Sequence, residues 1–295
     1  LKIRKIPRSD NMKNHREFNK RNDRGTGRDR RDRRPSRYNE NREEYKNPSE
    51  DIREDIIEGR NAVIEALRSG RTIENILIAK GDREGAVNVI TALAKEKGVV
   101  IKEVDRRKLD SMSSTASHQG VIAQTSPYSY CEVEDIIQDA KDKGEDPFII
   151  ILDEIEDPHN LGSIIRTAEV CGAHGIVIPK RRNVGVTAAV YKSSVGAVEY
   201  VKIAKVTNVN KVIDQLKNQG VWVYGADMDG EEYCYQANLK GSVALVIGSE
   251  GRGISRLTKE KCDKLIKIPM RGNVNSLNAS VAAGIIMYEV LKSRL

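Results

Sequence analysis

Phe148–Ala168, FIIILDEIEDPHNLGSIIRTA, is the stretch that decides the fold. Its first five residues, Phe148 to Leu152, are apolar without alternation, which is how a strand buried on both faces reads. Asp157-Pro158 stops that strand, Asn160 can cap or turn the backbone, and a helix beginning near Leu161 carries Arg166 on its second turn. The pattern then recurs. Further apolar runs, Gly175–Ile178, Val221–Tyr224, Val243–Ile247 and Leu265–Ile268, alternate with helical spacing near Leu161–Cys171, Val209–Gln219, Ser255–Cys262 and Leu277–Leu291. Strands alternating with helices predict an α/β domain with a mainly parallel sheet covered on both sides.

Upstream lies a second, smaller α/β pattern. Helical spacing over Ile56–Leu67 stops at Gly70, and strand-like Asn75–Ala79 follows. A helix from Gly85 to Lys97, a strand at Val99–Val104, a short helix at Arg107–Met112 and a strand at Val121–Thr125 complete a unit large enough for its own core. Pro127–Asp135 breaks the pattern. The expected order is therefore a basic arm (1–52), a small α/β domain (53–126), a linker (127–146) and a larger α/β domain (147–295), with no internal repeat at a fixed period.

Charge separates the arm from the rest. Of the chain's 295 residues, the first 50 hold 17 Lys and Arg against 9 Asp and Glu, so the net +7 of the whole chain lies there and the remainder is nearly neutral. Runs such as Arg28–Arg34 (RDRRDRR) leave too little apolar surface to offset ordering entropy, which predicts disorder. Such an arm suits sequence-independent phosphate binding through counterion release; a solvated tail is the plainer alternative. Its Asp and Glu argue against a transit peptide, and no window approaches the roughly 20 apolar residues of a membrane span, so a cytoplasmic location without membrane contact is expected. Cys131, Cys171, Cys234 and Cys262 are scattered and unaccompanied by clustered His, which supports neither a disulfide framework nor a metal site.

Polar groups gather after the apolar runs. Ile247–Gly253 (IGSEGRG) is spaced GxxGxG, which is neither the dinucleotide nor the phosphate-loop pattern, and alone it reads as a tight strand-to-helix turn. Arg166 interrupts an otherwise apolar helix face, so its guanidinium is expected in a cleft or else paired with Glu250 or Asp153. In Asn273–Ala282 (NVNSLNASVA), Ser276 or Asn278 can cap the last helix, yet two amides and a hydroxyl exceed what capping needs. Polar turns at the ends of parallel strands are where such sheets bind ligands. His159 reads as an exposed loop residue, whereas His118 reads either as a turn-stabilising group or as an RNA contact.

With these residues in hand, the sequence over about 148–295 resembles the TrmH family of RNA ribose 2′-O-methyltransferases in the SPOUT superfamily. The resemblance rests on DPxNxGxIxRTA, GxEGxG and SLNxSxA in that order. The small unit, through Glu58–Val63 (EGRNAV) and His118–Val121 (HQGV), resembles the L30e-like substrate-binding domain of bacterial 23S rRNA guanosine-2′-O-methyltransferases. The resemblance implies a C-terminal deep trefoil knot, an exception to the rule that chains avoid knots. It also implies S-adenosylmethionine as cofactor, lined by Gly248, Ile268 and Leu277, an active site of Asn160, Arg166, Glu250, Ser276 and Asn278, a homodimer, and no metal. The implied reaction is methylation of a ribose 2′-hydroxyl, on a guanosine of 23S rRNA. The family assigns activation of that hydroxyl to Arg166. A guanidinium is a poor proton acceptor, so Arg166 is expected to stabilise a developing alkoxide or a neighbouring phosphate while water or phosphate takes the proton. Transfer RNA as substrate, or a non-catalytic RNA-binding ribosome-assembly protein on the same fold, are the alternatives; a nicotinamide oxidoreductase lacks its GxGxxG.

Overall fold

The computed structural model describes residues 55–295, apart from residues 84, 274 and 275. The arm assigned to residues 1–52 lies outside the described residues.

The small unit runs β1 (Ile56–Glu58), α1 (Arg60–Ser69), β2 (Ile73–Ala79), α2 (Ala86–Lys97), β3 (Val100–Val104), α3 (Arg106–Met112) and β4 (Val121–Thr125). Its sheet has the order β1-β4-β2-β3, with β4 antiparallel to both neighbours and β2 parallel to β3. The single helix expected over Ile56–Leu67 is corrected to a strand and a helix. Gly59, at φ 95°, breaks the run, and Ile56–Glu58 pairs with Ile122–Gln124 instead of continuing the helical stripe.

The larger unit begins earlier than expected, with α4 (Val133–Asp142) inside the span read as a linker. Buried Val133, Ile136, Ile137 and Ala140 give that helix an apolar face on the sheet, and Ile136 occupies the space where a Cβ on Gly175 would stand. There follow β5 (Phe148–Asp153), α5 (Pro158–Val170), β6 (Gly175–Pro179), α6 (Ala188–Ser193), a 3-10 turn at Ala197–Glu199, β7 (Lys202–Val206), α7 (Val209–Asn218), β8 (Trp222–Ala226), β9 (Glu232–Tyr233), β10 (Val243–Gly248), α8 (Arg256–Lys261), β11 (Lys264–Lys267) and α9 (Ala279–Arg294). Every pairing among these strands is parallel, in the order β7-β6-β5-β10-β8-β11-β9. The apolar runs are the central strands; β5 is buried along its whole length. Strand β7 has no such run because it is an edge, where half-buried Lys202 pairs with Asp139 at 3.6 Å and half-buried Lys205 stands 4.7 Å from the Tyr130 ring centroid.

The small unit is fastened to the larger one by polar groups withdrawn from solvent. Arg71 and Glu199 form an ion pair at 3.4 Å with side chains only 9% and 8% exposed. The same guanidinium donates to the Tyr191 hydroxyl and, at 2.7 Å, to the Ser126 carbonyl, and it stands 4.9 Å from the Tyr191 ring centroid and 5.8 Å from that of Tyr128. Burial pushes the Glu199 carboxyl upward, and the Arg71 charge opposes that shift. Nearby, the Tyr200 hydroxyl donates to Glu65 at 2.7 Å.

Candidate active site

The carboxyl ends of β5, β8, β10 and β11 open on one side of the larger sheet, and the three polar turns meet there. Asp157 caps α5 by accepting from the His159 backbone N–H at 2.8 Å, with Pro158 at the first helical position. Asn160 is thereby set on the first turn of α5, buried and facing the ends of the other strands. After β10 the chain doubles back at once. Ser249 and Gly253 exchange backbone hydrogen bonds at 3.2 and 2.9 Å, which leaves Glu250 projecting from the tip. Only glycine fits at position 248, because a Cβ there would lie 2.1 Å from the Gly253 carbonyl carbon. Asp153 braces the far end of this turn by accepting from the Ser255 N–H at 2.8 Å.

One carboxylate oxygen joins all three turns. Glu250 Oε1 accepts from Asn160 Nδ2 at 2.9 Å, from the Ala279 backbone N–H at 3.2 Å and from Asn278 Nδ2. Asn278 Nδ2 also donates to Asn160 Oδ1 at 2.8 Å, while its own Oδ1 caps α9 by accepting from the Ser280 and Val281 N–H groups at 3.0 and 3.2 Å. Asn278 is thus both cap and site residue, and its two amide ends perform the two tasks separately.

Two adjoining cavities flank this network. The larger, about 320 Å³, is lined by Gly248, Ile268 and Leu277, all three residues that the resemblance implies for a cofactor, together with Ser276 and Glu250. Ile247, Ile266 and Ile286 give it apolar walls, and Asp227, paired with Lys259 at 2.5 Å, supplies charge at its edge. Sequence reasoning did not single out Asp227 or Lys259. Asp227, after β8, comes close to Gly253 only through the fold, and its partner Lys259 on α8 lies 32 residues further along the chain, so neither gives a local signal. The smaller cavity, about 240 Å³, is lined by Glu154, Glu156, Asp157, Asn160, Glu250 and Arg252. Glu250 and Asn160 therefore stand between an apolar pocket and a polar cleft.

Arg166 is not with them. It is exposed on α5 and, among the described residues, pairs with neither Glu250 nor Asp153, and it lines neither cavity. The expectation that it points into a cleft of this chain is corrected. Six residues along a helix from Asn160 place it about 120° round the axis from that side chain. Its neighbour Thr167 meets Gly284 at the seam of α5 and α9, and Val170 on α5 and Val281, Ile285 and Tyr288 on α9 are exposed.

In the small unit the two quoted segments do meet. The Arg60 backbone N–H donates to Gln119 Oε1 at 3.2 Å and its Nε to the Gln119 carbonyl at 3.0 Å. His118 is buried; its Nδ1 accepts from the Gly120 N–H at 3.0 Å and its Nε2 lies 2.9 Å from Asp110. Its turn-stabilising role is what the structure shows. His159 is exposed, as expected.

Comparisons with known proteins accord with this geometry. Residues 147–288 match the SpoU rRNA methylase family, and residues 56–131 match the RNA 2′-O ribose methyltransferase substrate-binding family. The chain is 51% identical over 240 residues to YacO of Bacillus subtilis (strain 168), whose name places it in the TrmH family of tRNA/rRNA methyltransferases; the alignment covers 81% of this chain and 96% of that one. Among solved structures, an AdoMet-bound rRNA methyltransferase from Sinorhizobium meliloti is similar at TM-score 0.67 and 26% identity, over 82% of this chain and 88% of that one. An RNA 2′-O ribose methyltransferase is similar at TM-score 0.66 and 26% identity, over 81% and 88%.

Proposed function

We propose, from the premise that this chain belongs to the SpoU/TrmH family of RNA methyltransferases, that it methylates a ribose 2′-hydroxyl of 23S rRNA, at a guanosine, as a cytoplasmic homodimer. The observation that carries the reading is the junction at Glu250 Oε1, where the turns after β5 and β10 and the start of α9 are tied beside a pocket lined by Gly248, Ile268 and Leu277. That pocket suits S-adenosylmethionine. Isoleucine and leucine walls fit a flat base, and the missing Cβ at Gly248 lets backbone groups approach the ligand closely. When bound, the cofactor supplies an electrophilic methyl group.

The protein's own groups do the rest. Asn160, Glu250 and Asn278 hold the pocket and the polar cleft at a fixed separation, with Ser276 at the rim of the former. A ribose in the cleft would meet the Asn160 and Glu250 side chains. Arg166 reaches such a site by dimerisation. The stripe Val281, Ile285 and Tyr288 on α9, with Val170 on α5, is an exposed apolar face beside Arg166, and a second copy covering it would bring that guanidinium to the partner's cleft. There Arg166 stabilises the developing alkoxide or a neighbouring phosphate while water or phosphate accepts the proton, since a guanidinium is a poor base. Residues 53–126 serve as the RNA-gripping domain and 133–295 as the knotted catalytic domain, no metal taking part. The matched substrate-binding family over residues 56–131 favours ribosomal over transfer RNA, because a minimal tRNA enzyme needs little beyond the knot.

Calorimetric titration with S-adenosylmethionine, followed by mapping of 2′-O-methylated riboses in ribosomal and transfer RNA from cells with and without the protein, tests the proposal. A lost modification in 23S rRNA is expected. No cofactor binding would refute the enzyme reading, and a lost tRNA modification would refute the substrate. The basic arm adds phosphate contacts: removing residues 1–50 should flatten the salt dependence of RNA binding while single-turnover methylation at saturating RNA survives, and an unchanged slope would remove the arm from binding.

A further inference from the structure

Beside the polar cleft, two residues other than glycine hold left-handed backbone, Glu154 at φ 66° and Arg182 at φ 55°. They are joined to each other. Arg182 Nη1 donates to Glu154 Oε1 at 2.9 Å, and Arg252 Nη1 stands 3.7 Å from the other carboxylate oxygen. The guanidinium-bearing side chains are 71% and 80% exposed and that of Glu154 is 21% exposed. Exposed ion pairs stabilise a fold by about 0–1 kcal/mol, whereas sparsely populated backbone costs on the order of 1 kcal/mol or more per residue. The cluster is therefore not explained as stabilisation of the fold.

Its surroundings hold it in place. The Asn183 side-chain oxygen accepts from the Ile155 N–H at 2.9 Å, and the Val184 N–H donates to the Ile155 carbonyl at 2.9 Å, so the turn after β6 is laced to the turn after β5. Exposed Lys180 and Arg181 extend the basic run on the same turn. Below the rim the charge reverses, because Glu154, Glu156, Asp157 and Glu250 line the cleft itself. Such an arrangement sorts the parts of a nucleotide. A neutral sugar can enter the acidic floor, while its flanking phosphates are repelled from the floor and attracted by the rim. Each arginine has five N–H donors in a planar fork and spends few of them on Glu154, which leaves a face suited to phosphate oxygens.

We propose that Arg182 and Arg252, aimed by Glu154, bind the backbone phosphates on either side of the target nucleotide and so position its ribose against Asn160 and Glu250. This rests on the methyltransferase reading above and adds to it the residues that seat the substrate. The test measures dissociation constants of the full chain for unmodified 23S rRNA and tRNA transcripts over a range of salt, with calorimetric S-adenosylmethionine binding alongside. Arg182→Ala should weaken RNA binding on the order of tenfold at moderate salt and lower the salt slope by about 0.7, and Arg182→Ala with Arg252→Ala by about 1.4. Glu154→Gln, which keeps both arginines but frees them, should raise KM for RNA with the salt slope nearly intact. Cofactor affinity of Arg182→Ala should equal that of the wild type. An Arg182→Ala chain with wild-type RNA affinity and slope overturns the proposal, and so does weakened binding at an unchanged slope, which reports altered shape and not a lost phosphate. Wild-type titrations with cofactor and RNA, run first, distinguish failure of the methyltransferase reading from failure of the phosphate contact.

Discussion

An arginine that stands exposed on the surface of one chain, Arg166, is the side chain on which turnover should depend most. Removing one preorganised donor from a developing oxyanion typically costs about 3 to 4 kcal/mol. Arg166→Ala should therefore lower turnover at least about a hundredfold while calorimetric affinity for S-adenosylmethionine stays nearly intact. Unchanged turnover would take Arg166 out of the mechanism. The residue types at the junction were legible because Asn160, Glu250 and Asn278 sit where strands end and helices begin, whereas the spacing of Gly248 showed only a tight turn and its place in the pocket came from the family resemblance. The expectation of Arg166 in a cleft or against Glu250 or Asp153 failed because its phase on α5, about 120° from Asn160, turns it away from the junction. Arg252 and Arg182 carried no such mark, since what distinguishes them is a shared carboxylate 98 and 28 residues away in sequence.

Helix α9 begins at a residue with two duties, and substitution can separate them. Asn278→Ala loses the cap and should cost about 1 kcal/mol of stability. Asn278→Asp keeps an acceptor for the Ser280 and Val281 N–H groups but faces Glu250 with a second carboxylate where a donor had been. Urea denaturation should show the cap restored, while calorimetry shows cofactor affinity still impaired; wild-type affinity in both variants would divorce the network from the pocket. Strand β5 carries a pH dependence at its opposite end. His174 is buried and its Nδ1 accepts from the Phe148 N–H at 3.0 Å. Burial depresses its pKa below the ordinary 6.5, partly offset by Glu145, whose Oε2 lies 3.2 Å from Nε2 but out of line for a hydrogen bond. The unfolded chain thus takes up this proton first, so the contribution is whole above pH 6.5 and is lost as pH falls through the lowered folded value. The urea midpoint should drop between pH 7.5 and pH 5.5, and His174→Gln should flatten that drop. Central strands were legible from unbroken apolar runs. Strand β7 was hidden by its lysines, β1 by its continuity with the helical stripe of α1, and α4 by the Pro127–Asp135 break just before and at its start.

At the scale of the whole molecule, the join between the two sheets is held by a charge pair almost sealed from water. Breaking such a pair by removing one partner typically costs about 3 to 5 kcal/mol, because the other charge is stranded. Arg71→Ala should therefore lower stability by roughly that amount and speed proteolytic cleavage between residues 126 and 133; an unaltered cleavage pattern would show that the pair does not fasten the units. Two α/β units could be read from the sequence, but not their attachment, since Arg71 and Glu199 lie 128 residues apart and neither belongs to a motif. On the proposed reading, their buried pairing bears on how one ribose is picked from the many that an RNA offers. A handle bolted to the jaw, and not hung from it on a string, would make the protein a caliper: whatever fold of RNA the small sheet grasped, only the sugar at one set reach from that grasp would arrive at the methyl donor.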